Sequence, residues 1–176
     1  MAMSNSERIG KGLELLRNGL VPFVEREMEA VYGDKWQVKA RQGVSKERDW
    51  KVENGKVQWD AYLILMILWN HWNDVFKRTL GHAERSYVSE LRKARNRWAH
   101  QNAFTYDDTY RVLDTMTRLL RSVSAGEAGE VEKMGKQRRI RLKKIGMVLL
   151  QRSQLVGKQC FRASWHRAFR LQEPGL

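Results

Sequence analysis

Apolar residues recur at three- and four-residue steps along most of this chain, and only two prolines interrupt its 176 residues. At about 100° per residue that spacing collects the apolar side chains on one face of successive helices, whereas strands need alternation. Clusters of β-branched residues are few. The pattern predicts an all-α fold, a helical bundle. Seven Trp and 42% hydrophobic residues supply a core, too much for a disordered chain. The length suits one domain with an appendage.

The elements follow from local signals. Asn5 or Ser6 is the expected N-cap of a first helix with the stripe Ile9, Leu13, Leu16 and Leu20. Pro22 fits a helix start better than a helix interior, so a second helix is expected from Pro22 to Tyr32, closed by Gly33. Val52 and Val57 flank Asn54-Gly55, a hairpin signal within a polar connection. The third helix is expected from Trp59 or Asp60 to Leu80 with Gly81 as C-cap, and the fourth from Ala83 to Ala99. Thr105 and Asp108 resemble a capping box opening a fifth helix, which stops near Ala125-Gly126. Beyond Gly129 the spacing permits another helix, weakened by Gly135, Gly146 and Gly157.

Charge narrows the partners. Lys+Arg number 33 against 20 Asp+Glu, and the sequence pI is near 10.2. Residues 1–125 carry 21 basic and 16 acidic side chains, residues 126–176 carry 12 and 4. A basic excess concentrated at one end suggests a polyanionic partner, either nucleic acid or an acidic membrane face, with a merely solvated surface as the alternative. The single Cys160 leaves no internal disulfide and no Cys-based zinc site, which points to a reducing, cytoplasmic setting. The apolar run Ala61–Trp69 is far short of the ~20 residues of a membrane span. No signal peptide is expected from the N-terminus, and no G-x-x-x-x-G-K-[ST] loop suggests an NTPase.

The segment richest in chemistry is Glu90-Leu91-Arg92-Lys93-Ala94-Arg95-Asn96-Arg97-Trp98-Ala99-His100. On an unbroken helix Arg95 and His100 point about 140° apart, so they converge only if the chain turns after Trp98. A guanidinium beside an imidazole suits phosphodiester cleavage in RNA: the imidazole moves the proton, and the fixed cation stabilises charge building on phosphorus. Asn96 can bind phosphate or orient the imidazole. By spacing alone, Arg95 can instead pair with Glu90 or Asp108 while His100 merely ends the helix.

The segment resembles the HEPN superfamily, whose motif is Arg, a polar residue, a short spacer, then His: here Arg95, Asn96, Arg97-Trp98-Ala99 and His100. The likeness extends to the Swt-type branch through Arg8–Arg17, Gly19–Glu27, Trp72–Phe76, Tyr87–Leu91, Phe104, Asp107-Asp108 and Leu113–Leu120, covering residues 6–133. The resemblance implies a bundle that dimerises with two motifs at one cleft. It also implies a metal-independent endoribonuclease needing no cofactor, in a toxin–antitoxin or phage-defence setting, with an antitoxin or a larger ATPase or helicase as possible partner. Arg95, His100 and Asn96 carry over as catalytic residues. A non-catalytic dimerisation or RNA-binding module is the alternative, and a DNA-binding bundle rests on charge alone.

Residues 134–176 depart from the family as a basic tail or the remnant of a longer protein. There Arg138, Arg139 and Arg141, with Arg92 and Arg97 before them, either follow an RNA backbone or form a solvated basic surface. Phe161 and Trp165 either stack on bases or pack on the bundle, and packing is the commoner fate. His71 and His82 lack ligand-spaced Cys or carboxylate partners, so no metal site is expected. Trp69, Trp72 and Trp98 read as core or interface anchors.

Overall fold

Ser4 and Glu7 begin the first element. The Ser4 hydroxyl accepts the Glu7 N–H, and Glu7 accepts the Ser4 N–H at 2.6 Å, a reciprocal cap that sits one residue before the expected one. From it runs helix α1, Asn5–Tyr32, in a computed structural model that describes residues 3–42, 44, 50–53 and 56–136. Pro22 does not divide the helix as its type suggests. It lies on the exposed side of α1, while Leu16, Leu20, Phe23, Val24 and Met28 on both sides of it are buried. Burying five large side chains on one continuous stripe outweighs the roughly 3 kcal/mol that an interior proline costs.

Gly33, at φ 54, closes α1 in a conformation that favours glycine. A 3-10 turn, Gly33–Lys35, leads into the short helix α2, Trp36–Gln42. Strands β1, Val52–Glu53, and β2, Lys56–Val57, pair antiparallel with Val52 opposite Val57, as the Asn-Gly signal predicts.

Helix α3, Ala61–Asn70, is capped by Asp60, whose Oδ1 accepts the Leu63 N–H at 2.7 Å. Leu63 to Leu68 are all buried, so α3 is the centre of the bundle. It ends at Asn70, ten residues earlier than the spacing predicts. The chain then unwinds through His71–Val75 into a 3-10 turn, Phe76–Arg78. The unwound path buries Trp72, Val75, Phe76 and Leu80 while leaving Asn73 and Asp74 at the surface. Gly81 accordingly precedes helix α4, His82–Ala99, rather than ending α3.

Helix α5, Tyr106–Ser122, opens with the Thr105–Asp108 capping box predicted for it. Residues 128–136 are helical too, with Val131 fully buried. Helix α1 packs on α3 and α5, and α4 packs on the same two from the other side. The α1–α5 approach is close because Gly12 and Gly19, seven residues apart, present no side chain. A Cβ at Gly12 would lie 2.9 Å from Leu113 and Met116, and one at Gly19 would lie 2.6 Å from Leu120. Contacts within Met1–Gly135 close into one unit. No helix of the described residues is long and apolar enough to cross a membrane.

Candidate functional site

Helix α4 carries the Arg–Asn–His segment, and three forces build it. Val88, Leu91 and Ala94 bury one side. Glu84 accepts the Gly81 N–H at 2.9 Å in the first turn. Arg, Lys, Glu and Ala, all good helix formers, fill most of the rest. At its end, the His100 N–H reaches the Asn96 carbonyl at 3.1 Å, Gln101 the Trp98 carbonyl at 3.0 Å and Asn102 the Arg97 carbonyl at 3.1 Å. This pairing closes a helix by placing one residue in the left-handed region, here Gln101 at φ 56 instead of glycine. A non-glycine residue there costs about 1 kcal/mol.

The chain therefore turns after His100 and not after Trp98. Arg95 and His100 leave the helix about 140° apart, and no hydrogen bond or ion pair joins them. Asn96 and His100, four residues apart, instead share one exposed face. Arg95 turns toward α3. Its Nη2 lies 3.6 Å from Asp60 Oδ2, and its guanidinium lies 4.7 Å over the Tyr62 ring. Neither Glu90 nor Asp108 holds Arg95: Glu90 pairs with Arg111, and Asp108 with Arg97.

The other basic residues singled out in the sequence divide. Arg92 lies half-buried with its guanidinium 5.0 Å from the Trp69 ring. Arg97 is committed to the loop that follows: its Nη2 donates to the Ala103 carbonyl and to Asp108 Oδ2 at 2.9 Å, and it covers the Phe104 ring at 4.5 Å. Arg138, Arg139 and Arg141, with Phe161 and Trp165, lie outside the described residues.

The end of α4 is held from two sides. The Trp98 indole N–H donates to the Ser6 carbonyl at 3.1 Å, and its ring covers Gly10, where a Cβ would lie 3.0 Å away. Asn5 donates to the Phe104 carbonyl at 2.7 Å. Across the loop, the Thr105 backbone N–H, helped by Arg97, holds the Asp108 carboxyl below its usual range. The imidazole of His100 thus projects from a helix end fixed to the starts of α1 and α5.

Four partners of this face were missed in the sequence: Asp60, Tyr62, Trp69 and Arg85. Arg85 also lies against Trp69, at 5.2 Å, so one indole carries two guanidiniums. Their spacing was the available signal, since Tyr62 and Trp69 on α3, like Arg85 and Arg92 on α4, are seven residues apart and share a face. Away from this face, Tyr32, Lys39, Gln42, Asn70, His71 and Asp74 line an open cleft of about 530 Å³. No three His, Cys, Asp or Glu side chains among the described residues gather as a metal-ligand group.

A model of the Swt1-like HEPN family matches residues 11–124, more than half of the 176-residue chain. No curated protein and no solved structure matches.

Proposed function

The chain belongs to the Swt1-like HEPN family, and from that premise we propose that it is a homodimeric endoribonuclease cutting RNA without a metal or other cofactor. The observation that carries this reading is the pairing of Asn96 with His100 on one exposed face of α4, with Arg95 fixed one turn earlier against α3. Nearly all of the protein chemistry that RNA transesterification needs is proton transfer and charge stabilisation.

The RNA 2′-hydroxyl attacks the adjacent phosphorus and gives its proton to the His100 imidazole. The P–O5′ bond breaks, and the 5′-oxygen leaves with a proton delivered by an imidazolium. The products are a 2′,3′-cyclic phosphate and a 5′-hydroxyl. Arg95 stabilises the charge on phosphorus, and Asn96 positions the phosphate or the imidazole. A single α4 sends Arg95 and His100 apart, so the reading places Arg95 of one protomer with His100 of the other in a shared cleft. Residues 6–133 form the catalytic domain in this proposal, and residues 134–176 add sequence-blind phosphate contacts. A cytoplasmic toxin or phage-defence role, with an antitoxin or a larger ATPase or helicase as partner, fits a self-targeting ribonuclease.

The test is cleavage of total RNA and a tRNA pool by the purified chain in EDTA. The parent should cut and leave cyclic-phosphate ends. His100→Ala should lose about 10²–10⁴-fold, the usual worth of a positioned acid–base group. Arg95→Ala should lose about 10²–10³-fold, as for other groups that stabilise developing charge. Undiminished cleavage by both variants overturns the site. Uncut RNA with the parent overturns the ribonuclease in favour of a non-catalytic binding module.

A further inference from the structure

Among the described residues, two guanidiniums on α4 have no carboxylate partner. Neither Arg85 nor Arg92 takes part in an ion pair there, although both are half-buried on the outside of a folded helix. Arg85 goes further, since its Nε is enclosed with no acceptor. The two carboxylates of α4 are engaged elsewhere, Glu84 with the Gly81 N–H and Glu90 with Arg111. Both guanidiniums are instead held in place by stacking on Trp69. An arginine fixed on an aromatic face keeps its donors free and loses little freedom when an anion arrives.

The position of these residues relative to the motif gives them a use. At 100° per residue, Arg85, Arg92, Asn96 and His100 fall within about 80° of the α4 surface, one band along the helix. Ser89 falls in the same arc, and exposed Lys93 borders it. Arg92 lies about 12 Å and Arg85 about 22 Å along the axis from His100. Arg95 flanks the band on the α3 side, over Tyr62.

We propose that Arg85 and Arg92, stacked on Trp69, form a rail for the phosphates of a single RNA strand that leads into the Asn96–His100 face. The inference rests on the ribonuclease reading and adds to it a substrate form and a length. A stacked strand advances about 3.4 Å per nucleotide, so Arg92 meets a phosphate about four nucleotides from the cut and Arg85 one about seven away. An extended strand reaches both in fewer. The contacts are to phosphate alone, so the rail sets affinity and the path of the strand without reading base sequence.

The test uses the full chain and a fluorescent 2′-O-methyl oligoribonucleotide, which binds but has no free 2′-hydroxyl to attack. Its affinity is followed by anisotropy across a salt series. Arg85→Gln with Arg92→Gln should weaken binding on the order of tenfold near 0.1 M salt. It should also lower the slope of log affinity against log salt by about 1.4, from two single-strand phosphate contacts at about 0.7 each. Arg17→Gln with Arg26→Gln removes the same charge from α1, where those residues contact Asn18 and Glu27, and should leave the slope nearly unchanged.

An equal loss in both double variants overturns the rail, because net charge alone then explains binding. Unchanged binding by the α4 variant overturns it too, and leaves that face to an acidic protein. If the parent cleaves RNA in EDTA while the α4 variant binds normally, only the rail falls. If the parent neither binds nor cleaves, both readings fall.

Discussion

His71 shows how burial writes a pH dependence into one side chain. Its Nδ1 lies 3.4 Å from the Tyr32 hydroxyl, and its Nε2 is enclosed without a partner. Burial holds its pKa below the usual value, and the charge of Asp74 opposes that only in part. The folded protein therefore keeps His71 neutral where an unfolded chain, with an ordinary value near 6.5, already takes up a proton. More protons bound in the unfolded state means stability that rises with pH. The His71 contribution is complete above about pH 6.5 and is lost as pH falls from there through its depressed folded value. Melting temperature should drop between pH 7.5 and 5.5, and His71→Gln should flatten that drop. Glu7 and Asp108, held low by Ser4 and Thr105, act in the same direction but only below about pH 4.5. An unaltered pH profile in His71→Gln would remove the argument.

The same scale shows why Arg95 could be picked out from the sequence while its surroundings could not. Helical spacing offered Glu90 and Asp108, both near in sequence. The carboxylate it meets is Asp60, thirty-five positions earlier, brought over by packing of α3 on α4. That carboxylate serves two ends at once, capping α3 through one oxygen and facing Arg95 with the other. Only tertiary structure could reveal such a double use.

At the scale of elements, strong local signals survived and conflicts went to burial. The Thr105–Asp108 box and the Val52–Val57 hairpin formed where their residues indicated, because cap and turn chemistry is local. Pro22 and the Asn70–Leu80 stretch did not, because core packing decided them. Pro22 makes this measurable. It has no N–H for the Asn18 carbonyl, and its side chain is exposed. Pro22→Ala should therefore restore a helix bond and stabilise the protein by about 1–3 kcal/mol. For a chain this size, each kcal/mol raises the melting temperature by about 2–4 °C. A melting temperature that stays level or falls would mean that the bundle depends on the proline itself.

For the whole molecule, the all-α class was legible because periodicity is a property of every helix. The placement of Arg95 relative to His100 was not, because it depends on where α4 ends, a turn set by three hydrogen bonds from His100, Gln101 and Asn102. With Arg95 and His100 about 140° apart on α4, the proposed dimer can complete a site only by crossing between copies. Crossing makes a quantitative prediction that a site within one chain does not. Arg95→Ala keeps His100 and His100→Ala keeps Arg95, each inactive as a homodimer. After subunit exchange, half of the dimers are mixed, and each mixed dimer holds one intact pair and one doubly defective pair. A mixture of the two variants should then recover about one quarter of parental cleavage, by the symmetry of a two-fold interface. Pairs built within a chain would recover nothing, since every such pair carries one substitution. Mixing the variants with His100→Ala,Arg95→Ala in place of either one should abolish the recovery. Cleavage that stays at the homodimer level, with exchange verified by labelled subunits, would return Arg95 and His100 to a single protomer.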